Sequence, residues 1–170
     1  MQTTTIKLYS LGYDEAKTYL VASLFIVGNV VLPQLFHIVP KGGMIWLPIY
    51  FFTLVGAYKY GWRAGLLTAV LSPIVNSLLF AMPMAAALPA ILLKSVLLAM
   101  SAGYVAQRFR SVSIPLLIAV VLMYQVVGTL GEWAMSGSLM QALQDFRIGI
   151  PGMLLQVVGG YAVIKYIIRK

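Results

Sequence analysis

The sequence predicts an all-α membrane protein: a bundle of six transmembrane helices with both termini on the cytoplasmic side. Three observations carry that expectation. Of 170 residues, 61% are hydrophobic and only 9% charged, whereas about a quarter of the residues in a soluble domain carry charge. Apolar runs of the ~20 residues that a bilayer span needs follow one another along the chain. The basic residues behind the net charge of +8 collect at the ends of those runs, which is the pattern of membrane topology rather than of nucleic-acid binding.

The first span covers residues 18–38. It follows Asp14, Glu15 and Lys17 and ends at "FHIVPKGG" without a small-residue cleavage site, so it reads as a retained span and not a signal peptide. Pro40, Gly42 and Gly43 break the chain before the second span, 44–60. The third span runs over 62–82. The apolar connection "AMPMAAALP", with Pro83 and Pro89, leads into the fourth, 86–107. The fifth covers 113–131 and the sixth 148–168. Within the long connection 132–147, Ser138 is placed to cap a short interfacial helix whose Leu139, Leu143 and Phe146 share one face. The N-terminal "TTTIKLYSLGY" is a second candidate for the membrane surface. Residues 1–170 form one integral membrane domain, with no room for a soluble one.

Charge sets the orientation. With the N-terminus inside, the cytoplasmic side receives Lys7, Lys17, Lys59, Arg63, Arg108, Arg110, Lys165, Arg169 and Lys170. The outer side receives Lys41 and Arg147 alone. Such a positive-inside bias, with an even number of spans, predicts two cytoplasmic termini.

Lys94 stands in "LPAILLKSVLLAM", where its neighbours are aliphatic or small. A charge at the centre of a membrane helix costs roughly 2.5–3.5 kcal/mol on insertion scales, so it asks for a partner, a ligand or an escape route. At a rise of ~1.5 Å per residue, Lys94 lies about 12 Å below the outer end of its span, Asn76 about 9 Å, Gln125 about 10 Å and Gln156 about 12 Å. Four spans thus place one polar side chain each at a similar depth, where it must face the interior, a cavity or another polar group. Converging polar groups in apolar surroundings resemble a small-molecule site. Each residue also has a plainer reading. Lys94 can snorkel outward or pair with Glu132 near the end of the fifth span. Asn76, Gln125 and Gln156 are each suited to hydrogen bonding between helices, as is the deeper Asn29. Gln125, Gly128 and Glu132 share a helix face, and Gly149, Gly152, Gly159 and Gly160 lie near Gln156 on another. Trp46, Tyr50, Trp133, Asp145 and Arg147 are the outer aromatic and charged residues available for a lid or for interfacial anchoring.

The inventory argues against an enzyme. His37 is the single histidine, at a loop edge, and there are four acidic residues and no cysteine. That leaves no metal cluster, no nucleophile with a supporting base, and no phosphate-binding glycine loop. No cofactor is expected.

The stretch 43–110 resembles the substrate-binding S components of energy-coupling factor (ECF) vitamin transporters. The resemblance rests on "LPIYFFTLVGAYKYGWRAGLL", on "SPIVNSLLFAMP" and on the Pro-bounded entry into the fourth span. It implies an outward pocket beneath the outer connections, capture of a vitamin or vitamin precursor, and delivery by toppling within the membrane. It also implies partners: a transmembrane coupling subunit and two cytoplasmic ATPases. Asn76 and Lys94 fall in the segments that line the family's pocket. The family usually carries two alanines three residues apart on its first helix. Ala16, Ala22, Ser23 and Gly28 stand there at a different spacing. The expected function is therefore solute capture, with Lys94 meeting an anionic group. Asn76, Gln125 and Gln156 would hydrogen-bond the solute, Tyr124, Trp133 and Trp46 would stack, and Glu132 would lie nearby. A membrane scaffold that binds no solute is the alternative, with the polar residues as internal glue.

Overall fold

The computed structural model describes residues 7–168, apart from the Asp145 side chain. Arg169, Lys170, the start of "TTTIKLYSLGY" and the Asp145 carboxylate assigned to the lid lie outside the described residues. The chain is helical: α1 (Ala16–Phe36), α2 (Gly42–Trp46), α3 (Phe51–Tyr60), α4 (Trp62–Phe80), α5 (Leu88–Phe109), α6 (Ile114–Ser136), α7 (Leu139–Ile148) and α8 (Ile150–Ala162). A wider helical turn, Val163–Ile167, continues α8.

Five segments are long and apolar enough to cross a membrane: α1, α4, α5, α6 and Ile150–Ile167. They carry exposed apolar faces suited to lipid. On α1, Leu20, Leu24, Val27 and Val31 recur at helical spacing and are 51–70% exposed. The chain reads as a multi-pass membrane bundle.

The expected second span, 44–60, is not one helix. Leu47 adopts the left-handed conformation (φ 45°, ψ 45°) before Pro48, and a 3-10 turn over Pro48–Tyr50 separates α2 from α3. Proline disfavours the α conformation in the residue before it and supplies no N–H of its own, so "WLPIY" ends one helix and restarts another. The ten-residue α3 is a core element. Thr53, Leu54, Val55, Gly56, Ala57, Tyr58 and Lys59 are all buried, as expected of a helix without a polar face.

Breaking a helix inside a bundle strands backbone N–H groups, which lipid cannot satisfy. Asn29 of α1 meets that need. Its Oδ1 accepts from the Phe52 N–H in the first turn of α3 at 3.0 Å. Its Nδ2 donates to Thr53 Oγ1 at 3.0 Å and Ser72 Oγ at 3.3 Å. One amide therefore ties α1, α3 and α4 together.

The fifth span is longer than the sequence suggests. Helix α6 runs to Ser136, so Glu132 and Trp133 are helical residues and not the start of a loop. Gly137, with φ 68°, ends it. Helix α7 follows at once, with Ser138 Oγ accepting from the Gln141 N–H at 3.4 Å. The connection expected to hold a short helix is thus almost wholly helical.

At the opposite end, residues 9–11 lie along the end of α3. Tyr9 N–H donates to Lys59 O at 2.8 Å, and Leu11 N–H to Tyr60 O at 3.2 Å. This end gathers Lys7, Lys17 and Lys59 around the Tyr9 ring.

Candidate functional site

A cavity of about 330 Å³ lies beneath the 37–50 and 81–87 connections. Its wall includes Pro33 and His37 at the end of α1, Lys41, Leu47 and Tyr50 from the broken segment, Asn76 of α4, Met82 and Met84, and Ile91 of α5. Apolar groups dominate, with a few polar ones among them, which is the composition of a small-molecule site.

Asn76 is the polar anchor of this wall. Pro33 has no N–H, so the carbonyl of Asn29, four residues earlier on α1, lacks its helical donor. Asn76 Nδ2 donates to that carbonyl at 2.8 Å. This fixes the amide and leaves Asn76 Oδ1, buried, with no hydrogen-bond partner among the described residues. An acceptor held at a cavity wall without a donor invites a ligand N–H or O–H, or a water.

Lys94 does not line the cavity. It lies three residues beyond Ile91, on nearly the same face of α5. Its Nζ donates to Glu132 Oε2 of α6 at 2.6 Å, with the lysine side chain 1% and the glutamate 15% exposed. Gly128 makes the pair possible: a Cβ there would sit 2.5 Å from Lys94 Cγ. The lysine stem therefore crosses α6 at its glycine and reaches the carboxylate one turn further along. The ion-pair alternative raised by the sequence is the arrangement present.

The other expected site residues are dispersed. Tyr124 donates from its hydroxyl to Gln156 Oε1 at 3.0 Å, joining α6 to α8, and its ring packs 5.5 Å from that of Tyr50. Gln125 is fully buried, and neither end of its amide is hydrogen-bonded among the described residues. Gln156 Nε2 and Thr129 Oγ1 are in the same condition. Trp46 packs on Phe36, with ring centroids 5.5 Å apart, and Trp133 is 45% exposed. All four polar residues singled out by depth are thus buried, but Asn76 alone reaches the cavity.

The sequence puts His37 at a loop edge and Lys41 among the outer charges, with no site role for either, yet both stand at the cavity wall. His37 is held there by a 2.6 Å contact between Nδ1 and the Pro33 carbonyl. The available signal was "HIVPKGG" itself, a connection too rich in turn formers to lie flat.

Set against known protein families, curated proteins and solved structures, the chain matches none.

Proposed function

We propose that this chain is the substrate-binding S component of an ECF-type importer, capturing a small vitamin-like solute or precursor from the outer face. The observation that carries the reading is the cavity beneath the outer connections, with the unpartnered Asn76 Oδ1 at its wall. In this reading the broken segment 42–60 serves as the sixth pass and both termini are cytoplasmic. The membrane is the bacterial cytoplasmic one. A coupling subunit and cytoplasmic ATPases supply the energy. The docking face would be the exposed side of α1 that carries Ala16, Leu20, Ser23 and Val27, because Ala22 is turned inward.

Lys94 has a conditional role. An anionic group on the solute would exchange with the Glu132 carboxylate for the same ammonium, by a small separation of α5 and α6. Tyr124, Gln125 and Gln156 would then become reachable, and Trp46 and Trp133 would flank the entrance.

A thermal-shift screen of the purified protein against water-soluble vitamins and precursors tests the reading. A binder at 100-fold excess over its Kd adds about 2.7 kcal/mol of stability. One solute should raise the melting temperature, and Asn76→Ala should weaken its binding by roughly tenfold, the worth of one buried hydrogen bond. No shift with any solute would favour the scaffold alternative. That alternative has its own support in the Lys94–Glu132 pair and the Asn29 ties, which are internal glue.

A further inference from the structure

The basic end of the molecule holds a second cavity, of about 660 Å³, whose wall includes Tyr9, Ser10, Gly61, Gly103, Gln107 and Arg110. It opens between the N-terminal segment and the end of α5. Gln107 Nε2 approaches Ser10 Oγ at 3.4 Å between these two parts of the wall.

Two independent features converge here. The first is charge. Lys7, Lys17 and Lys59 place their ammonium groups 5.3, 4.5 and 5.6 Å from the centroid of the Tyr9 ring. Lys59 is fully buried, and its Nζ is fixed by the Lys7 carbonyl at 2.7 Å. Arg110 is itself part of the cavity wall, whereas the lysines stand beside Tyr9. Among the described residues, no carboxylate forms an ion pair with these lysines. Glu15 Oε1 accepts from the Gly12 N–H, and the sole ion pair among the described residues is Lys94–Glu132 at the other end.

The second feature is an apolar track. Met100 and Tyr104 are 55% and 67% exposed, and Gln107 continues the same face of α5 at spacings of four and three. That face runs from the lipid-exposed surface of α5 straight to the cavity rim. A soluble anion has no use for such a track, whereas a molecule with both acyl chains and an anionic head does.

We propose that this cavity seats the headgroup phosphate of an anionic phospholipid whose acyl chain lies along the Met100–Tyr104 face. Arg110 offers planar, paired donors to the phosphate oxygens, and Lys7 and Lys17 beside Tyr9 supply point charge. Basic pockets between helices at the membrane surface are suited to such headgroups.

The test uses the full chain, purified in neutral detergent and stripped of lipid, with melting followed during titration. Phosphatidylglycerol should stabilise it and phosphatidylcholine should not. Lys17→Gln with Arg110→Gln should weaken the phosphatidylglycerol effect by roughly 25-fold, about fivefold for each cation. Equal stabilisation by phosphatidylcholine, or an undiminished effect in the double variant, would overturn the proposal. Inorganic phosphate matching phosphatidylglycerol at equal concentration would overturn the lipid assignment in favour of a free-anion site. Should the double variant fail to fold, mass spectrometry of lipids retained by the unaltered protein from an equal mixture decides. Enrichment of phosphatidylglycerol supports the site, and its absence rejects it.

Discussion

Lys94 illustrates how a single residue balances cost against placement. A buried ammonium is tolerable because Glu132 lies 2.6 Å away, and Gly128 gives the stem a path across α6. Removing one member of a buried pair leaves the other uncompensated, at a cost of about 3–5 kcal/mol, whereas replacing both with apolar residues is often neutral. Lys94→Met and Glu132→Leu should therefore each destabilise the bundle, and the double variant should recover most of the loss. Chemical denaturation of the four proteins of that cycle gives the coupling. Additive losses would show that the two side chains do not depend on each other. The same pair yields a functional expectation. If an anionic solute exchanges with Glu132, then Glu132→Gln should bind that solute more tightly than the unaltered chain, as read by calorimetry. Both partners were legible in the sequence as candidates. What no spacing could decide was whether Lys94 meets Glu132 or a ligand. That depends on the angle between α5 and α6 and on a glycine whose importance is visible only when the two helices are packed.

At the scale of elements, the informative feature is the broken segment between Gly42 and Tyr60. The sequence suggested a continuous span because its residues are apolar throughout. The signal against it was Pro48, where a missing N–H and a strained Leu47 outweigh hydrophobic continuity. The five long helices were easier to read, since length and apolar content alone specify them. The break makes Asn29 indispensable, because its side chain caps α3 and bridges to α4. Asn29→Leu should destabilise the protein by about 1–3 kcal/mol, the penalty of leaving a buried backbone N–H unpaired. Thr53→Val should retain the Phe52 contact, remove one acceptor of the Asn29 amide and lose less; equal losses would argue against capping as the cause. Gly152 of α8 tests the packing at the break independently. A Cβ there would lie 2.5 Å from the carbonyl carbon and oxygen of Trp46, next to the break. Backbone cannot yield as a side chain can, so Gly152→Ala should lower the melting temperature and loosen the cavity wall formed by Leu47 and Tyr50. An unchanged melting temperature would show that α2 moves freely.

For the whole molecule, the question is how many times the chain crosses the membrane. Five long helices alone would put the termini on opposite sides. If the broken segment counts as a pass the number becomes six, for it leads from the cavity around His37 and Lys41 back to the basic end, where Lys59 meets the N-terminal segment. At ~1.5 Å per α-helical residue and ~2.0 Å per 3-10 residue, α3 and its preceding turn span about 21 Å, short of the hydrocarbon thickness, and α2 supplies the remainder. Because α3 is buried among the other helices, it needs no lipid-facing surface of its own. A six-pass arrangement therefore predicts that both termini share the side on which the basic residues gather, following the positive-inside rule. The chain has no cysteine, so single introduced thiols report location without background. In intact cells, a membrane-impermeant maleimide should label Met140→Cys on α7 but neither Asp14→Cys nor Lys170→Cys, and cell lysis should expose both. Labelling at one terminus but not the other would mean that 42–60 is a re-entrant segment rather than a pass. The cavity would then lie at the inner mouth of a five-helix protein or be reached from the opposite face, and outward capture of a solute would no longer follow from its position.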